Sequence, residues 1–228
     1  MDNFNIGSIV ISLSLFLIYH IRTYFAVYSK SKSIKLYKNL LNSKNWVKKH
    51  ETKEDAPNVT LAIQTLRNTI LVAIFLGGGA FTSAFNSLNN LRITSSTDVD
   101  LARQTIVSIL LMLSFLGFAS VIRAASHLGY QLGTLSIRDV APSGGLSNNI
   151  QVSQVDEIDL EEDNKKDDQD NILKESNRMA AVMIVSFNLG FRFMYIAVAF
   201  TFYSTGPIGL IIASGIMLVF LYAIDHSF

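Results

Sequence analysis

Seven polar side chains stand out because each interrupts or borders an apolar run: Arg67 and Asn68, Arg123, Asn188, Arg192, Tyr195 and Asp225. Guanidinium groups grip carboxylates and phosphates through paired N–H donors. Three of them, with one acid nearby, point to recognition of a small anion or a lipid headgroup. Asn188, Arg192 and Tyr195 are spaced by four and three residues, so they share one face of a helix. Arg192 lies about fourteen residues into its apolar run, or roughly 20 Å at 1.5 Å per residue. That is too deep for its side chain to snorkel out. A charge at such depth costs at least about 2.5–3.5 kcal/mol on insertion scales and calls for a partner. Asp225 is the partner on offer. Counted from Gly206, the two residues differ in level by about five residues, roughly 7 Å, which a long side chain and a modest tilt can close. The expected Arg192–Asp225 pair forms directly or through Asn188 and water. It either locks two helices together or contributes to a ligand site.

Other chemistry is disfavoured, and no catalytic residue is expected. The chain has no cysteine, which excludes disulfides, thiolate metal sites and a cysteine nucleophile. His20, His127 and His226 fall at one level, and histidine suits metal or haem iron, but no two of them sit at ligand spacing. No cofactor or metal is therefore expected. There is no nucleophile elbow, phosphate loop, dinucleotide-binding glycine pattern or paired-histidine zinc motif. The run Gly77-Gly78-Gly79 is no phosphate cradle, because it lies in an apolar stretch with no following lysine and hydroxyl residue. The lysine-rich stretch has few aromatics, so nucleic acid is not an expected partner.

The elements that must position these residues are membrane helices. The 228 residues are 50% hydrophobic, and the mean hydropathy of +0.34 is too high for a soluble domain of this size. A bilayer core about 30 Å thick needs roughly 20 apolar helical residues. Five stretches come close: 4–21, 68–88, 105–124, 179–203 and 207–224. They predict an all-α polytopic helix bundle in a single membrane domain. The last two stretches form a tight hairpin, with Gly206-Pro207 as its turn and Pro207 opening the next helix. The first stretch lacks a basic leader and a small-residue cleavage site, so it reads as a retained span.

Basic residues set the expected orientation. Residues 30–53 carry most of the lysines, whereas the connection between the second and third stretches holds Arg92 and Arg103 balanced by Asp98 and Asp100. This puts the N-terminus outside and the C-terminus in the cytosol, and leaves the Asn58-Val59-Thr60 sequon cytosolic. Residues Lys30 to Lys53 mix lysines with Ile34, Tyr37, Leu40 and Leu41 at roughly helical spacing. Such a segment suits an interfacial helix on anionic lipids, or serves only to fix orientation. Residues 147–177 are acidic and polar, and predict a disordered cytosolic loop.

Ala73, Gly77, Ala80 and Ala84 lie along one helical face. Small faces of this kind let membrane helices approach closely. Three adjacent glycines could instead permit a kink or a broken helix. Small residues spaced by four recur at Ser186 and Gly190, and at Gly209 and Ala213.

The runs YHIRTYFAVY, LAIQTLRNTILVAIFL and NLGFRFMYIAVAFTFYSTGPIG resemble the plant and bacterial membrane family called domain of unknown function 599. The resemblance rests on Leu66, Arg67 and Asn68, on Gly190, Arg192 and Tyr195, on Gly206 and Pro207, and on Asp225. It reaches Arg123 and the His127 region and omits the acidic loop; the triple glycine departs from the family pattern. It implies a multipass fold with one recurring polar constellation, and no activity. Two readings then compete. One is a protein that binds or transports a small anionic ligand or lipid headgroup in a cytosol-facing polar pocket. The other is a structural or assembly subunit of a homo-oligomer or membrane complex.

Overall fold

The computed structural model describes residues 2–28, 56–94, 98–140 and 155–226, together with residues 38, 39, 41, 42, 45 and 47 of the first connection. All regular structure among them is helical. The helices are α1 (Asp2–Tyr28), α2 (Ala56–Thr94), α3 (Asp98–Val140), α4 (Val155–Thr201) and α5 (Pro207–His226), with a 3-10 turn at Phe202–Thr205. Each contains a segment long and apolar enough to cross a membrane: Ile6–Phe25, Thr60–Asn89, Asp100–Leu132, Asn171–Ser204 and Pro207–His226. A helix satisfies its own backbone polar groups, which is what an apolar surrounding demands. The outward faces carry large apolar side chains, with Phe75 at 85% and Val219 at 70% exposure. Water disfavours such contiguous surfaces.

α3 is the central helix. α2 and α4 both pack along it antiparallel, α5 packs on α4, and α1 lies parallel to α5 and also touches α3. One core cluster joins α1, α3, α4 and α5 through Phe16, Val107, Phe200 and Leu210. A second joins α2, α3 and α4 through Leu66, Leu128 and Ala180, with Val47 of the first connection added. Between them Ala73, Phe118 and Val121 form a third. The turn from α4 to α5 depends on Gly206, whose φ of 102° suits a residue without Cβ. Its N–H donates to the Tyr203 carbonyl at 2.7 Å.

The small face of α2 is an interior face. Ala73, Ala80 and Ala84 are buried, and a Cβ on Gly77 would stand 3.2 Å from Phe118 Cβ. α2 runs unbroken through the triple glycine. Gly78 and Gly79 meet nothing within 4 Å. The tightest crossing lies elsewhere, between α3 and α4. A Cβ on Gly117 would come 2.8 Å from Gly190 Cα, and Ser114 Oγ donates to the Gly190 carbonyl at 2.8 Å.

Two expectations differ from the structure. The acidic stretch expected to be disordered is helical from Val155 onward, continuous with α4; residues 147–154 lie outside the described residues. The cause is anchoring further along the same helix. Leu173 packs on the second core cluster, and Ser176 Oγ donates to Gln131 Oε1 at 3.0 Å. Once a helix is nucleated and held, each added residue extends it at little cost. Likewise the stretch expected over 68–88 lies inside a longer helix, with the Leu66-Arg67-Asn68 motif in its interior, because α2 begins at Ala56. The threonines and glutamine ahead of the motif break the hydropathy pattern but not the helix. Most of the lysine-rich segment 30–53, and with it the interfacial helix expected there, lies outside the described residues.

Candidate functional site

Three helices converge on one buried carboxylate. Arg192 on α4 donates from Nη2 to Asp225 Oδ1 at 2.7 Å and to Oδ2 at 2.6 Å. Tyr19 on α1 donates its hydroxyl to Asp225 Oδ2 at 2.5 Å. The Arg192 and Asp225 side chains are only 9% and 6% exposed. The guanidinium carbon also lies 5.9 Å from the centre of the Tyr19 ring, within cation–π range. Such a pair survives burial only because each charge answers the other and further hydrogen bonds support it. The parallel course of α1 and α5 brings Tyr19 and Asp225 to the same level.

Two cavities lie along α4, and Arg192 of this cluster lines the smaller. The larger, about 630 Å³, is a groove between α2 and α4. Its polar lining comprises Thr65, Asn68 and Thr69 from α2, Asn188 from α4, and Asn39 and Asn42 from the first connection. Its apolar lining includes Leu66, Val72, Met183 and Phe187. The smaller, about 360 Å³, lies between α1 and α4 and is lined by His20, Thr23, Tyr24, Asn188 and Arg192 among others. Asn188 borders both.

Hydrogen bonds within the helices decide what these linings offer. Thr65 and Thr69 spend their hydroxyl hydrogens on the Leu61 and Thr65 carbonyls, each at 2.9 Å. Asn188 Nδ2 donates to the Ile184 carbonyl at 2.9 Å. His20 Nδ1 lies 2.7 Å from the Phe16 carbonyl. A carbonyl only accepts, so Nδ1 carries the hydrogen and Nε2 of the uncharged ring is an acceptor. That Nε2 is buried without a partner.

The polar residues picked from sequence do not all meet. Arg192 and Asp225 touch, and Asn68 and Asn188 share the groove. Arg67 and Arg123 are exposed and line neither cavity. Tyr195 is half-buried, with its ring stacked on Phe191 at 5.8 Å and set edge-on to Phe220 at 5.7 Å. His127 is exposed; His226 is exposed and stacks on Tyr222 at 4.1 Å. Sequence reasoning overlooked Tyr19, Thr65, Thr69, Asn39 and Asn42. A signal existed for most of them. Thr65, Asn68 and Thr69 form a polar face at helical spacing, Asn39 and Asn42 are three apart, and Tyr19 adjoins a histidine placed at the level of Asp225.

The family described as "Protein of unknown function, DUF599" matches residues 8–228. No curated protein matches the chain, and no solved structure does.

Proposed function

The chain belongs to the DUF599 family, and from that premise we propose that it is a multi-pass membrane protein that binds or transports a small ligand or lipid headgroup in the groove between α2 and α4. The observation that carries this reading is the lining of the groove. Four asparagines and two threonines line a 630 Å³ groove together with apolar side chains of the same two helices. Ligand sites have this size and this mixture of apolar lining and few polar groups. Asparagine amides inside a membrane are costly unless hydrogen-bonded, and a bound headgroup would satisfy them. The lysines of residues 30–53 support a groove that faces the cytosol.

The test is mass spectrometry of lipids and metabolites retained by the purified protein. Wild type is compared with an Asn68→Leu/Asn188→Leu double variant. One species enriched on the wild type and lost from a folded variant is the expected result. Equal retention on both would remove the groove from the function.

A second reading, a structural or assembly subunit, draws on a different observation. The charge of Arg192 is answered within the chain by Asp225, as in a packing device. Partner proteins co-purifying with wild type and with the groove variant alike, in place of a selective small molecule, would favour it.

A further inference from the structure

We propose that the ligand of the groove is an uncharged, hydroxyl-bearing lipid, of the acylglycerol or glycosylated-lipid class. This rests on the binding reading above and narrows it. The first argument is charge. No charged side chain lines the groove among the described residues. The nearest buried cation, Arg192, already holds Asp225 against both carboxylate oxygens. An anion entering here would give up its hydration shell, and no cation among the described lining residues would replace it.

The second argument is the direction of the hydrogen bonds. Thr65 and Thr69 have used their hydroxyl hydrogens, so they present oxygen lone pairs to a ligand. Asn188 has committed one amide hydrogen, leaving its carbonyl oxygen and the other hydrogen. Asn39, Asn42 and Asn68 each bring both kinds of group. Phosphate and carboxylate oxygens at neutral pH only accept, so they would leave these acceptors unpaired. A hydroxyl both donates and accepts, and it fits this mixed set.

The third argument is the apolar lining. Leu66, Val72, Met183 and Phe187 offer nothing to a free polyol. They suit the hydrocarbon chain attached to a lipid headgroup. The groove residues of α2 and α4 all fall within the segments long and apolar enough to cross a membrane, Thr60–Asn89 and Asn171–Ser204.

The experiment uses the full chain in phosphatidylcholine nanodiscs with a photoactivatable diacylglycerol. Labelled residues are located by mass spectrometry. Competitors are unlabelled diacylglycerol, phosphatidic acid with the same chains, and free glycerol. Labelling should fall on the groove faces of α2 and α4 and be displaced by diacylglycerol alone. Asn68→Leu should weaken it about fivefold, the worth of one net hydrogen bond of about 1 kcal/mol. Displacement by phosphatidic acid at equal or lower concentration would overturn the neutral class while leaving the binding reading intact. Displacement by glycerol would overturn the lipid source. Uniform labelling around the bundle, with no competition, would sink the binding reading and this inference together. The competition arms need only wild-type protein, so they decide the matter even if the variant fails to fold.

Discussion

A guanidinium withdrawn from water must have its charge answered, and Arg192 has Asp225, supported by the Tyr19 hydroxyl. Removing one member of a buried pair strands the other. Asp225→Ala and Arg192→Ala should each destabilise the fold by about 3–5 kcal/mol. The double variant should lose clearly less than the two single losses added together, because no charge is then left alone. Tyr19→Phe should cost about 1.5–3 kcal/mol, the worth of a hydrogen bond to a charged group. Thermal unfolding in detergent measures all four, and strictly additive losses would refute the coupling. The two charged residues could be paired from sequence by counting along a hairpin whose turn was plain. Tyr19 could not, because nothing local says that the first helix lies beside the last.

At the scale of elements, glycine does two different things here. Gly117 and Gly190 let α3 and α4 meet backbone to backbone, and a Cβ on Gly117 would strike the Gly190 main chain at 2.8 Å. No side-chain rotation relieves a clash with backbone. Gly117→Ala should therefore lower the melting temperature strongly. Gly78→Ala meets open space and removes a helix-weakening residue worth about 0.8–1 kcal/mol. It should leave stability unchanged or raised in the same assay. A loss at Gly78 as large as that at Gly117 would contradict this account. Hydropathy made the five segments long and apolar enough to cross a membrane legible, because each is a long apolar run between polar connections. The polar continuations of the helices carried no such mark. Residues 155–177 look like linker when read alone, and their helix is held by Leu173 and Ser176 further along. The Gly117–Gly190 contact was half legible: Gly190 stands four residues after Ser186, but nothing in the third stretch points to Gly117.

For the whole molecule, helix length exceeds what a bilayer needs. The 47 residues of α4 correspond to about 70 Å at 1.5 Å per residue, against a hydrocarbon core of about 30 Å. The bundle would stand well clear of the membrane on the side of the lysine-rich connection, and positive charge favours the cytosol for that side. A glycosylation tag on the N-terminus should be modified in a microsomal translation and one on the C-terminus should not. The reverse pattern would invert the orientation. The route of the chain also gives the buried charge a role in time. Synthesis delivers α1 first, then α4 with Arg192, and only afterwards α5 with Asp225. Until then Arg192 lacks the carboxylate it holds in the complete fold. A chain halted after α4 would carry an arginine without the carboxylate that answers it in the complete bundle. Completion of α5 brings the counter-charge, so the pair can form only once the last helix has arrived.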